Sequence, residues 1–338
     1  MNILMPSAGR RYLHLKYIKE SEGVERLVTT EISENAPGIF SADICYRVPR
    51  AASPGFLDAI LKICEIENIG AIILMLDLDI EIFSDNRRLF EEKGIKLLLS
   101  PKETIDIALD KLRTAQVLEE AGIDAPKTFR ADEWEAKRET MGFPVLIKPR
   151  FPSKRAAGAY IISVLETEQA VKNILAQLGD HAKDYVFQEY LSGTELTVDF
   201  FCDQNGDLIS AIPGERLGAL SKAFSQNGGA ISEGRVFHSQ EINDIVRKLT
   251  ETVTFYGPSN FQAYRLATGE IKITEINPRV TGVTVMTKAS GRDLFQWSVD
   301  LLMGKDIAVP TTDFKDINMV SWTHPIFFEQ SEIVDLDH

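Results

Sequence analysis

The chain has 338 residues, of which 44% are hydrophobic and 26% charged, and a formal net charge of −13. That length allows two or three domains with a substantial core, and the composition is that of an ordinary globular protein. The acidic balance argues against nucleic acid or an anionic membrane as the main partner, since both select basic faces. Cys45, Cys64 and Cys202 are odd in number and far apart, which fits a reducing compartment without structural disulfides. The five histidines form no ligand pattern. The apolar start Ile3-Leu4-Met5 gives way to Gly9-Arg10-Arg11, which is no signal peptide, and no apolar run could span a bilayer. A cytoplasmic location is expected.

The first hundred residues alternate strand and helix. Asn2 to Met5, Leu27 to Thr30, Ile44 to Val48, Ala71 to Met75 and Ile95 to Leu99 read as strands. Arg10 to Glu20, Phe56 to Glu67 and Asp77 to Lys93 read as helices, the last stopped by Gly94. Ala71-Ile72-Ile73-Leu74-Met75 is the fully apolar kind of run that parallel sheets bury on both faces. Repeated β-α units imply a right-handed, doubly wound sheet. Ser7-Ala8-Gly9-Arg10-Arg11 falls at the first strand-to-helix turn but lacks the G-x-G-x-x-G spacing of a dinucleotide site. Amides of the helix N-terminus with Arg10 or Arg11 could hold an anion there, and a surface pair of arginines fits equally well.

After Ser100-Pro101, the stripe Ile105, Ala108, Leu109, Leu112, Ala115, Leu118 predicts one helix from Thr104 to Ala121. By pattern alone, Lys111 is a solvated lysine on it. Lys127 to Arg130 is expected as a strand, with Asp132 capping a short helix that holds Trp134. Phe143 to Pro149 is an apolar strand with Lys148 at its inner end, where a lysine either meets an anion or snorkels to solvent. The loop Arg150 to Gly158 leads to a strand from Ala159 to Val164, and Glu166 to Leu178 is helical.

Asp184 to Leu191, Ser192-Gly193 and Thr194 to Cys202 read as strand, tight turn, strand. Glu195, Thr197 and Asp199 share one face of the second strand, and alternation favours a wet face. Asp207 to Pro213 is a further strand. The segment Leu217 to Gly234 contains Gly218, Gly228, Gly229 and Gly234, a length and composition more typical of a functional loop than of filler. Arg216, Lys222 and Arg235 flank or occupy it as substrate or phosphate contacts, or simply as surface charge. Glu241 to Phe255 and Asp293 to Met303 are helices, and the tail with Trp322 and Phe327-Phe328 is expected to form a last strand on the core.

Asn260 to Leu266 and Ile271 to Asn277 form a hairpin around Ala267-Thr268-Gly269-Glu270. With Thr268-Gly269 as a two-residue loop, Gln262 falls opposite Glu275 and Asn260 opposite Asn277. Alternation then puts Ile271, Ile273, Glu275 and Asn277 on one face. A carboxylate at the inner end of an apolar face needs a partner. Oxygen ligands from Gln262, Glu275 and Asn277 suit Mg²⁺, and Arg279 beside them suits a phosphate; a plain Glu–Arg pair is the other reading.

Glu275-Ile276-Asn277-Pro278-Arg279, with Gln262 on the neighbouring strand, resembles the metal-binding hairpin of the ATP-grasp superfamily. The likeness is greatest to short proteins similar to the synthetase part of the carbamoyl-phosphate synthase large chain. It is loose from Asn2 to Leu99 and close from Asp110 to Gly291. The resemblance implies an α/β doubly wound domain over 1–101, an ATP-grasp small lobe over 102–184 and a C-terminal α+β lobe over 185–338. It implies Mg²⁺ (or Mn²⁺) on Gln262, Glu275 and Asn277, and ATP phosphates on Lys111 and Lys148. Ser153 and Gly158 would lie in the phosphate-covering loop, which here lacks the usual richness in glycine and serine. Gln188-Glu189-Tyr190-Leu191 resembles the adenine hinge, and Glu195 the acceptor of ribose hydroxyls. Arg279, Arg216 and Lys222 would stabilise transferring charge. The activity implied is an ADP-forming carboxylate–amine ligase acting on small molecules, with a homodimer allowed. A binding protein without turnover, or a kinase or carboxylase on the same fold, are the alternatives. A chain of this length has no room for a glutaminase domain or a second synthetase half.

Overall fold

The computed structural model describes residues 1–152, 161–217, 233–322, 324–329 and 333–336. The first hundred alternate as β1 (Asn2–Met5), α1 (Tyr12–Lys19), β2 (Arg26–Glu31), β3 (Ile44–Arg47), α2 (Phe56–Ile66), β4 (Ala71–Ile73), α3 (Asp77–Asp85), α4 (Arg87–Glu91) and β5 (Lys96–Leu98). These strands pair in parallel in the order β3-β2-β1-β4-β5. Both faces are covered: Ile3 and Ile73 enter one apolar cluster, Leu4 and Ile72 the other. That two-sided burial is why β4 is apolar throughout. The helix expected from Asp77 to Lys93 is broken at Asn86, whose side-chain amide donates to Ile82 O at 2.8 Å and takes the chain out of helical geometry.

A second break falls inside the predicted Thr104–Ala121 helix. The chain forms α5 (Lys102–Leu109) and α6 (Lys111–Glu120), separated by Asp110 in extended conformation. The Asp110 carboxylate accepts from the amides of Leu112 and Arg113 at 3.1 and 3.4 Å, so it caps a new helix where the apolar stripe suggested a continuous one. Ile107, Ala108 and Leu118 pack in the core of the C-terminal sheet.

Next come β6 (Thr128–Arg130), α7 (Trp134–Lys137), β7 (Val145–Pro149), β8 (Ser163–Leu165), α8 (Glu168–Leu178) and β9 (Tyr185–Glu189). The strands form an antiparallel sheet in the order β6-β9-β7-β8. Asp132 does not cap α7; its carboxylate is engaged by Arg130 through two hydrogen bonds of 2.9 Å.

The remaining elements are β10 (Gly193–Cys202), β11 (Leu208–Leu217), β12 (Glu233–Val236), α9 (Gln240–Thr252), β13 (Gly257–Leu266), β14 (Ile271–Asn277), α10 (Thr284–Ala289), α11 (Leu294–Met303), β15 (Ile317–Val320) and β16 (Ile333–Asp335). Six of these strands build an antiparallel sheet, β14-β13-β10-β11-β12-β15. The strand-turn-strand expected across Ser192-Gly193 is no hairpin, because β9 and β10 belong to different sheets. Glu215 and Arg216 extend β11 beyond its expected end. The last strand, β16, returns to the first sheet and pairs in parallel with β3. Trp322 and Phe327 do not pack on the core as expected; they are 78% and 88% exposed.

Candidate functional site

Lys148 lies on β7, the strand flanked by β8 and β9, and its side chain is buried. Lys111 opens α6 a short distance away, and local contacts hold it there. Arg150 clasps the Asp110 cap with two bonds of 2.8 and 2.6 Å, and the Lys111 amide donates to Arg150 O at 3.1 Å. The exit of β7 and the start of α6 are thus one assembly. Burial, then the neighbouring Lys111 charge, push the Lys148 ammonium down to about 7, with Glu275 opposing. Two neighbouring lysines facing one carboxylate make a place for a polyanion.

The hairpin brings Glu275 there by a route the sequence did not show. Gln262 pairs with Glu275 and Asn260 with Asn277, as predicted, but the turn differs. Leu266 and Glu270 close a three-residue loop, with Leu266 N donating to Glu270 O at 2.8 Å. A bulge at Thr274 then restores the register, since Ala263 pairs with Ile273. The bulge also corrects the expected face. Ile276 joins Ile271 and Ile273 in the same apolar cluster, which turns Glu275 and Asn277 to the other side.

On that side Asn277 accepts from Arg279 Nη2 at 2.9 Å through Oδ1, while its buried Nδ2 has no partner. Arg279 reaches on to Asp77, with Nε and Nη2 at 2.6 and 3.1 Å from the two carboxylate oxygens. Burial works against the Arg279 charge, but Asp77 and Glu275 outweigh it and hold the guanidinium ionised. Among the described residues, no three His, Cys, Asp or Glu side chains converge as a metal cluster. The donor set at this hairpin is therefore one carboxylate and two amide oxygens. Such a set of weakly charged, hard ligands fits Mg²⁺ that takes its remaining ligands from phosphate and water.

Of the four residues expected as the adenine hinge, Gln188 and Glu189 end β9, and Tyr190 and Leu191 follow it before β10. The side chain of Gln188 donates to Thr128 Oγ1 at 2.9 Å. Both oxygens of Glu189 accept from Lys272 Nζ at 2.9 Å, which ties the small lobe to β14. Tyr190 is exposed and Leu191 buried. Only glycine fits at 193, where a Cβ would stand 2.2 Å from Arg265 O. The face bearing Glu195, Thr197 and Asp199 is not wet; all three are buried. Glu195 pairs with Arg216 at 2.8 Å. Asp199 accepts from Asn260 at 2.8 Å and from Thr281 and Thr287 at 3.3 and 2.7 Å, pinning the segment after the hairpin. Ser153, Gly158 and Lys222 lie outside the described residues.

Several residues here escaped sequence reasoning. Asp77 and Asp79 start α3, after β4, and the sequence marks neither beyond Asp77 opening a helix. Their signal was positional: in a doubly wound sheet, the segment after a strand's carboxyl end faces the ligand crevice. Arg11, read equally as an anion contact or as surface charge, donates to Ser7 O at 3.1 Å and faces Arg279, Asp79, Asp77 and Glu31. His14 joins the same wall, its Nε2 hydrogen-bonded to Thr281 O at 2.9 Å; burial above all holds it neutral, down to about 4.

A doubly wound domain followed by two lobes that face a lysine pair and an acid–amide hairpin is the ATP-grasp fold. Residues 3–98 match the family described as "PylC-like, N-terminal domain", and residues 181–325 match "ATP-grasp in the biosynthetic pathway with Ter operon". The carbamoyl phosphate synthase large chain of Clostridium perfringens is 24% identical over 335 residues, covering 94% of this chain and 30% of that protein. The chain thus spans less than a third of the curated relatives' length. Among solved structures, the biotin carboxylase domain of Hydrogenobacter thermophilus 2-oxoglutarate carboxylase, in complex with MgADP, superposes with a TM-score of 0.72 at 19% identity, over 91% of this chain and 70% of that one. The ADP complex of Staphylococcus aureus N5-carboxyaminoimidazole synthetase gives 0.72 at 16% identity, over 95% and 82%. At those identities both show the fold alone.

Proposed function

We propose that the chain is an ADP-forming carboxylate–amine ligase. The observation that carries this reading is the convergence of Lys111, Lys148, Glu275 and Arg279 from three separate segments on one charged space. Lys111 and Lys148 bind ATP phosphates, the main chain from Gln188 to Leu191 holds the adenine, and Glu195 the ribose. Gln262, Glu275 and Asn277 would hold Mg²⁺, or Mn²⁺ in its place, and the bound ion would supply charge neutralisation at the phosphates. A substrate carboxylate oxygen takes the γ-phosphoryl group and ADP leaves. An amine nitrogen then attacks the acyl carbon, the C–O bond to phosphate breaks, and the nitrogen loses a proton. The protein contributes alignment and charge stabilisation to both steps.

Arg279 acts in this scheme less as a free cation than as a strut, since Asp77 already holds it. Arg216, engaged by Glu195, orders the ribose acceptor. The absence of any helix long and apolar enough to cross a membrane among the described residues accords with a cytoplasmic enzyme, and a homodimer is its proposed assembly.

Panels of carboxylates and amines, assayed for nucleotide products, test the reading. With the right acid, ADP and phosphate form, and hydroxylamine intercepts the acyl phosphate as a hydroxamate. AMP and pyrophosphate would defeat the proposal. ADP without hydroxamate would move the function to simple phosphorylation.

A further inference from the structure

The first sheet reverses its winding between β1 and β4: β2 and β3 lie on one side of β1, β4 and β5 on the other. In open parallel sheets, ligands bind beyond the carboxyl ends of the strands at such a switch point. The residues there are Ser7 and Arg11 after β1, Glu31 at the end of β2, and Asp77 and Asp79 after β4.

Their partners are unevenly distributed. Glu31 accepts from the amides of Gly9 and Ile32, both at 2.7 Å. Asp77 is filled by Arg279. Asp79 is fully buried, and neither of its oxygens meets a hydrogen-bond donor. The Ser7 hydroxyl lies on its side but closes no hydrogen bond of ordinary geometry. Arg11, Arg279 and Lys111 supply positive charge nearby, but Asp77 and Glu31 have hydrogen-bonded partners of their own and Asp79 alone of the three has none. A buried, unpaired carboxylate is too costly to persist as mere packing. Burial pushes Asp79 up to about 6, against the weaker pull of Ser7 and Arg11; a bound cation would reverse that shift.

We propose that Asp79 seats the ammonium group of the amine substrate at the switch point of the first sheet, with Asp77 and Glu31 lending negative potential. The crevice adjoins the phosphate site, because Arg279 feels both Asp77 and Glu275. For attack, the seated ammonium gives one proton to the Asp79 carboxylate, which frees the nitrogen lone pair for the acyl carbon. The amine's role as nucleophile rests on the ligase reading; its seat does not.

Two measurements keep these apart. The first is calorimetric titration of the full chain with ethanolamine, ethylenediamine and glycinamide, against the uncharged isosteres ethylene glycol and glycolamide. At least one cationic amine binds, its isostere does not, and Asp79→Asn weakens binding by about tenfold or more, the loss expected for a hydrogen bond between charged groups. Failure of all three amines to bind, or equal binding by Asp79→Asn, overturns the proposal. If Asp79→Asn does not fold, a crystal structure of the wild-type chain with ethanolamine decides. Nitrogen within hydrogen-bond distance of Asp79 supports the seat, and nitrogen anywhere else overturns it.

The second is the ligase assay, in which Asp79→Asn raises the KM for the amine about tenfold and leaves that for ATP within about twofold. A KM for the amine that stays put overturns the proposal. A wild-type chain inactive on every substrate sinks the ligase reading, while the titration still judges the ammonium seat.

Discussion

Arg279, two residues past the β13–β14 hairpin, grips Asp77 at the start of α3 with two hydrogen bonds of 2.6 and 3.1 Å. The pair joins residues 202 positions apart and ties the C-terminal lobe to the parallel sheet. Asp77 stays ionised because Arg279, with Lys111 and Arg11 behind it, outweighs the cost of burial. Asp77→Asn leaves the buried guanidinium without its hydrogen-bonded counter-charge, with only the attraction of Glu275 to offset burial. We expect it to lower stability by about 3 kcal/mol, read as a shift in urea midpoint at constant slope. A variant as stable as the parent would make the pair incidental.

Glu275 is the sole carboxylate in the proposed Mg²⁺ set. Glu275→Gln keeps the shape and removes the charge, so the fold should hold and turnover should fall about a hundredfold or more. Thermal unfolding and ADP release on one sample check this. Near-normal turnover in a folded variant would eliminate the metal site.

Lys148 makes nucleotide binding pH-dependent in a predictable direction. Its ordinary pKa is about 10.4, and in the nucleotide-free protein it is lowered to about 7. Between those values the unfolded chain binds more protons, so this group makes stability rise with pH from about 7 to about 10. A bound polyphosphate restores the charged form. At pH 8, binding of a non-hydrolysable ATP analogue should therefore take up close to one proton, with less uptake as the pH falls below 7. Calorimetry in buffers of different ionisation enthalpy measures it. Proton release, or equal uptake by Lys148→Met, would contradict the assignment.

Glu189 and Lys272 form the strut between the lobes at the hinge. A double-mutant cycle with Glu189→Gln and Lys272→Met should give a coupling energy of about 1 kcal/mol, modest because Glu189 is partly exposed. Nucleotide affinity should fall in either single variant, as the hinge main chain loses its brace. Additive effects on stability and unchanged affinity would refute this.

Much of this molecule was legible one segment at a time. The parallel sheet followed from the apolar run at β4, the hairpin from Gly269 and the alternation around it, and α11 from Asp293 and Gly304. These are local matters: a strand's burial pattern, a turn's positive φ and a helix cap are written within a few residues of where they act. The pairing of Gln262 with Glu275 was predicted from a two-residue turn, and it holds because a longer turn and a bulge cancel. The face could not survive that cancellation, since one extra residue reverses every side chain beyond it. Asp110 and Asn86 show the limit from the other direction. Asp110 sits inside an unbroken apolar stripe and Asn86 inside what reads as one helix, and it took side-chain hydrogen bonds, for Asp110 with Arg150 as well, to end the helices there. The site's long-range links were beyond sequence reading altogether. Arg279 to Asp77, Lys272 to Glu189 and the unpartnered Asp79 depend on which charges the packed lobes bring together and which they exclude from water. Only tertiary structure decides that, because a charge's partner is chosen by distance and burial, and neither is a property of the residue's neighbours in the chain.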